Sequence, residues 1–179
     1  MSRYFGLYVI ALLLLSSPAI LGQDAELDNT DIQATVKASY LFNFAKYSDW
    51  PEDWKSGVFV IGVAGNPGVL KELREKYSNK PIGSQILEIR EIKGPELAGE
   101  KIHVLFVGKD FRDYASLVKS CRKIPVLIVA ESDGALDAGS LVNFKAVDGV
   151  LKFEVNDTRA RQAGIKIGDL LKGWAVTLK

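Results

Sequence analysis

Histidine and cysteine are almost absent from this chain: His103 and Cys121 stand alone among 179 residues. One Cys cannot form an intrachain disulfide, so the fold must be held by packing. One thiolate and one imidazole cannot assemble a His-rich metal site, a His-pair proton shuttle or a thiolate zinc site. Charge of one sign is also lacking, with 23 Lys and Arg against 22 Asp and Glu and no basic block. That balance leaves no electrostatic footprint for nucleic acid and no polybasic surface for anionic lipid. There is no G-x-S-x-G turn and no Walker lysine-hydroxyl pair, and no cofactor is implied.

What is present begins with a leader. Arg3 precedes an unbroken apolar run, Phe5 to Leu15, which stops at Ser16-Ser17-Pro18. The run is too short for a membrane-spanning helix, which needs about 20 apolar residues. It has the proportions of a secretory signal over residues 1–22, with Gly22 or Ala19 preceding the cleavage point. Loss of that leader removes Arg3 and no acid, bringing the remaining basic and acidic residues level. Residues 23–29 read as a flexible lead-in, and residues 30–179 are the length of one domain.

Thr30 and Gln33 fit a capping box that opens a helix. Val36, Tyr40, Phe44 and Tyr47, widened by Leu41, form its apolar stripe. Pro51 disfavours helix at Trp50 and ends the element. Val58–Val63 reads as a buried strand. Asn66 and Pro67 then cap and start a helix to Tyr77, with Val69, Leu70 and Leu73 inward. Lys80–Gly83 reads as a turn, and Gln85–Ile92 as an alternating strand. Ile102–Val107, a helix over Phe111–Ser120, and Pro125–Ala130 continue the pattern. Strand, helix and strand at this spacing predict right-handed crossovers and a parallel core. Ser140–Ala146 and Val150–Val155 flank an Asp148-Gly149 hairpin signal. Asn156 caps a short helix, and a closing helix over Ile167–Trp174 keeps its apolar character through Val176 and Leu178. The expected fold is α/β: a three-layer Rossmann-like sandwich whose mixed sheet has a parallel core and an antiparallel edge.

The chemical inventory stays thin on closer reading. His103 lies in a strand and fits a structural imidazole better than a base. Cys121 fits a buried thiol. A Cys121–His103 nucleophile and base would require two ends of one helix-strand unit to meet. Gly62, Gly65 and Gly68 follow a strand and open a helix, where glycine-rich turns hold phosphates, but the spacing is not G-x-G-x-x-G. Pro67 also removes an amide donor. A strand-to-helix turn accounts for them. Asn156-Asp157-Thr158 spells a glycosylation acceptor that the helix cap explains better. No catalytic, cofactor-binding or metal-ligating residue emerges.

Two segments carry a resemblance. Ala38-Ser-Tyr-Leu-Phe-Asn-Phe-Ala-Lys-Tyr-Ser-Asp-Trp-Pro51 resembles the opening signature of the YfiR-like family of bacterial periplasmic proteins. Gly149-Val-Leu-Lys-Phe153, Val155-Asn156, Ala163-Gly164-Ile165, Leu170-Leu171 and Ala175 resemble its ending. Phe59–Val63 and Ile102–Val107 fall in order between them. The resemblance covers residues 32–178.

It implies a non-enzymatic regulator, held in the periplasm, that binds the periplasmic part of an inner-membrane signalling protein. For the best-known relative this is a diguanylate cyclase, whose repression lowers cyclic-di-GMP and biofilm formation. It also implies a Rossmann-type domain able to form homodimers. Some relatives carry cysteine pairs, which Cys121 alone cannot reproduce. The alternative is a small-ligand sensor acting with a membrane kinase, its pocket at the carboxyl ends of the parallel strands near Gly65 and Gly108. For partner contact the candidates are Trp50, Trp54 and Trp174, since Trp is enriched at contact hot spots.

Overall fold

The computed structural model describes residues 21–179 except 96 and 98, with side chains from residue 30 onward. The leader expected over residues 1–22 lies outside the described residues apart from its last two positions. Among the described residues no helix is long and apolar enough to cross a membrane.

Helix α1 spans Leu21–Tyr47. It therefore starts ahead of Thr30, which stands inside the helix and does not open it, and it takes in residues 23–29 as well. Ala25, Glu26 and Leu27 are strong helix formers, and neither Pro nor Gly interrupts residues 23–47. The buried face is also rotated from the expected stripe. Ala34, Ala38, Leu41, Phe44 and Ala45 are buried, whereas Tyr47 is exposed. The small alanines let the helix backbone sit close to its neighbours, which large residues at the same positions would prevent.

The chain then alternates. Strand β1 (Ser48–Asp49) and a 3₁₀ turn (Glu52–Trp54) lead to β2 (Phe59–Ala64), helix α2 (Pro67–Tyr77), β3 (Pro81–Ile82) and β4 (Gln85–Ile92). Next come β5 (Val104–Val107), α3 (Tyr114–Ser120), β6 (Leu127–Ala130), α4 (Ala135–Ala138) and β7 (Val142–Val147). The last elements are β8 (Val150–Val155), α5 (Asp157–Gln162), β9 (Lys166–Ile167), α6 (Asp169–Trp174) and β10 (Thr177–Leu178). The caps expected from sequence form: the Asn66 side chain accepts from the Val69 amide at 3.0 Å, and Asn156 from the Arg159 amide at 2.9 Å.

Eight strands form one sheet in the order β10-β8-β7-β6-β5-β2-β4-β3, and β1 pairs separately with β9. Strands β4, β2, β5, β6 and β7 are mutually parallel, while β7 and β8 are antiparallel. The chain steps one way from β2 to β4 and the other way from β5 through β7. Right-handed crossovers then place α2 and α3 on opposite faces, giving three layers. Helix α1 shares the α2 face, where Phe42 stacks on Tyr77 with centroids 4.6 Å apart.

An aromatic cluster anchors α1 to the sheet. Phe44 and Tyr40 meet Phe153 edge-on at 5.0 and 5.3 Å, and Phe144 bridges to Phe106 at 6.0 Å. Each fully buried ring contributes about 1.5–3 kcal/mol from burial.

Two terminal segments differ from expectation. Pro81–Ile82, read as part of a turn, pairs antiparallel with β4 as an edge strand. Pro81 lacks a donor, but an edge strand tolerates that at its first residue. Ile167, read as the start of the closing helix, lies in β9, and α6 begins at Asp169; beyond Trp174 the chain becomes extended, and β10 runs parallel to β8, with Thr177 opposite Glu154 and Leu178 opposite Val155. Gly173 weakens the helix, and the β-branched Val176-Thr177 pair favours extended backbone.

Candidate functional site

In a sheet of this order the ligand-binding crevice lies at the switch point, outside the carboxyl ends of β2 and β5. Here the two loops close on each other. The Gly108 amide donates to the Ala64 carbonyl at 2.8 Å. A Cβ on Gly108 would lie 2.6 Å from the Gly65 oxygen, and one on Gly65 2.8 Å from Phe111 Cβ. These glycines serve the contact between loops. Gly62 is likewise required by sheet packing, since a Cβ there would meet Ile92 at 3.0 Å. At Gly68 the neighbour is Ala34 of α1, at an ordinary 3.4 Å. The Gly65 and Gly108 backbones thus touch, and the open space at this end of the sheet lies beside them, lined by Gly65, Asn66, Lys109 and Glu131.

The switch point is filled by a carboxylate belonging to the chain. Glu131 follows β6 directly, and one of its oxygens accepts from Asn66 Nδ2 and from the Lys109 amide, both at 3.2 Å. Its other oxygen pairs with Lys37 Nζ, reaching down from α1. The Glu131 and Lys37 side chains are only 8% and 12% exposed. Asn66 Nδ2, the Lys109 amide and the Lys37 ammonium, three donors suited to an anion, are therefore engaged by Glu131. A cleft of about 620 Å³ opens alongside, and this ion pair forms part of its wall. Sequence reasoning passed over both residues. The available signals were an acid directly after an all-apolar strand and a lysine set between the buried Ala34 and Ala38.

The second buried polar centre is His103. It is fully buried, and both ring nitrogens are engaged. Nδ1 accepts from the Val60 amide at 3.1 Å, and Nε2 donates to the Trp54 carbonyl at 2.9 Å. This pattern specifies a neutral ring, and burial holds its pKa below the ordinary histidine value. Phe59 stacks on the imidazole at 4.2 Å, with the Trp54 and Trp50 rings edge-on at 5.3 and 5.9 Å. No ring nitrogen remains to activate a nucleophile. Cys121 is buried as well, and desolvation pushes its thiol up to about 11. Among the described residues no group of three His, Cys, Asp or Glu side chains gathers to hold a metal ion.

The three tryptophans separate clearly. Trp50 is 5% exposed, and its indole Nε1 donates to the Pro125 carbonyl at 3.0 Å. Trp54 is 8% exposed, and its carbonyl also accepts from Gln85 Nε2 at 3.1 Å. Both are committed to the core around His103. Trp174 is 46% exposed. Leu170, Val176 and Leu178 are exposed with it, and β10 occupies the end of the sheet order. The last ten residues therefore carry four exposed apolar side chains beside a strand edge that has no partner strand among the described residues. Beneath it Leu171 is fully buried, and Lys172 pairs with Asp169 at 2.8 Å and Asp157 at 3.6 Å. The Lys172 partner holds the Asp169 carboxyl below the usual range.

A family model described as YfiR/HmsC-like matches residues 34–172. The chain belongs to the YfiR/HmsC-like family. No curated protein matches it. The YfiR/HmsC-like match begins at Ala34, the first buried residue among the described side chains of α1, and runs through Lys172 in α6. It spans β1 through β9 together with the Lys37–Glu131 pair and the His103 centre. Trp174 and β10 lie just beyond its end. Membership supports a periplasmic regulator of the cyclic-di-GMP signalling kind and sets a regulatory role ahead of a catalytic one.

Proposed function

We propose that this chain is an exported, non-enzymatic regulator that represses an inner-membrane signalling protein, a diguanylate cyclase, by binding its periplasmic part. Membership in the YfiR/HmsC-like family is the observation that carries this reading. Three features of the molecule support it. The His103 ring has no free nitrogen for proton transfer. Glu131 occupies Asn66 Nδ2, the Lys109 amide and Lys37 at the switch point, where a doubly wound enzyme would hold its cofactor. Four exposed apolar residues, Leu170, Trp174, Val176 and Leu178, fall within the last ten positions, at a strand edge that has no partner strand among the described residues and is suited to protein contact.

Residues Trp174, Val176 and Leu178 are the proposed contact surface. Mild crosslinking in intact cells, followed by purification of the tagged protein from membranes, tests the reading. An inner-membrane protein with a periplasmic segment and a cyclase domain is the expected capture. Recovery of soluble proteins alone would contradict it.

A further inference from the structure

A second, half-open cavity lies on the opposite face of the sheet from α1, bordered by α3, β6, α4 and α5, with a volume of about 320 Å³. Its size falls at the lower end of small-molecule sites, about 300–1,000 Å³. Val118, Ile124, Val126, Ile128 and Leu141 supply an aliphatic lining, with no aromatic ring among the lining residues. Cys121 adds a buried, protonated thiol. The polar residues at its border are Arg122, Arg159, Gln162 and Asp137.

The charges at that border are unevenly engaged. Asp137 is paired with Lys179 at 3.1 Å. Arg159 donates one guanidinium N–H to the Leu136 carbonyl, which fixes its head at the border while leaving its other donors. The Arg122 guanidinium has no hydrogen bond or ion pair among the described residues. With Asp137 facing Lys179, Arg122 and Arg159 give the border an excess of positive charge beside the aliphatic lining.

We propose that this cavity binds a short- to medium-chain aliphatic carboxylate, its chain among Val118, Ile124, Val126 and Ile128 and its carboxylate on Arg122 and Arg159. An aliphatic lining gains from a flexible hydrocarbon and offers nothing for an aromatic ligand to stack on. Guanidinium groups match a carboxylate in geometry as well as charge. The site is independent of the switch point, and binding here does not depend on the partner proposed above. Its wall is nevertheless joined to the C-terminal surface, because Asp137 pairs with Lys179 and the Thr158 amide donates to the Lys179 carbonyl at 3.2 Å.

Calorimetric titration of the purified, exported protein with octanoate tests the proposal, with octanol as the uncharged control. Methyl spectra of Ile124, Val126 and Ile128 locate the bound chain. Saturable one-to-one binding of octanoate is expected, with shifts at those three methyl groups. Octanol with the unaltered protein and octanoate with the Arg122→Glu variant should each bind at least tenfold more weakly, Arg122→Lys should fall between Arg122→Glu and the unaltered protein, and Trp174→Ala should bind octanoate as the unaltered protein does. Arg122 is exposed, so its variants keep the fold. Absence of saturable binding up to millimolar octanoate would overturn the proposal. So would equal affinity in Arg122→Glu, or loss of binding in Trp174→Ala, which would assign the octanoate to the C-terminal surface.

Discussion

Lys37 of α1 and Glu131 at the end of β6 form a nearly enclosed ion pair that fastens the long N-terminal helix to the switch point of the sheet. Removing one partner strands the other charge in a poorly solvated place, whereas removing both does not. Glu131→Ala should therefore lower stability by about 3 kcal/mol. The double variant Lys37→Met/Glu131→Ala should lose clearly less than Lys37→Met and Glu131→Ala combined. Urea unfolding of the four proteins gives the comparison directly.

His103 makes stability depend on pH. Burial lowers its folded-state pKa below the ordinary value of 6.5. The unfolded chain consequently takes up its proton first as pH falls. The stabilisation is complete above about pH 6.5 and is lost as pH drops through the window between that value and the folded pKa. The melting temperature should hold steady from pH 8 to 7 and decline below pH 6.5. In His103→Gln the curve should start lower, because the Val60 amide and Trp54 carbonyl lose their fitted partner, and the decline attributable to His103 should vanish.

Two glycines near the switch point should respond with opposite signs. Gly108→Ala brings a methyl group against the backbone oxygen of Gly65, which has no flexible end to swing away. A loss of about 2–3 kcal/mol is expected from such overpacking. Gly68→Ala places its methyl in ordinary contact with Ala34 in the first turn of α2. Stability there should hold or rise by about 0.5 kcal/mol, through reduced entropy of the unfolded chain. Denaturant midpoints of the two variants separate these outcomes.

Cys121 should be silent in the folded protein. With its thiol pushed up to about 11 and the side chain buried, little thiolate forms at neutral pH. Reaction with a disulfide reagent at pH 7.5 should be slow in buffer and complete within minutes in denaturant. Rapid native-state reaction would point to opening of α3 away from β6.

These sites explain why parts of the molecule were legible in advance. Helix α2 declared itself through the Asn66 cap, Pro67 and the spacing of Val69, Leu70 and Leu73. Strand β4 did so through strict alternation. The β7–β8 hairpin was marked by Asp148-Gly149, both of which adopt positive φ, 52° and 74°. Pairs of only two residues, as in β3, β9 and β10, leave too short a pattern to read. Trp54 misled because its surroundings in sequence are polar, while it is buried beside His103, just ahead of β5, and Gln85 of β4, both distant in sequence. Glu131 and Lys37 lie 94 positions apart, and only the topology brings them together.

The central claim is that the C-terminal apolar surface meets a membrane signalling protein. Incorporation of a photo-crosslinking amino acid at Trp174, with Ile86 near the opposite sheet edge as the control, tests it in living cells. Both positions are exposed. The account predicts a crosslinked inner-membrane protein bearing a cyclase domain from position 174 and none from position 86. The same adduct from both positions, or a membrane adduct from position 86 alone, would contradict it.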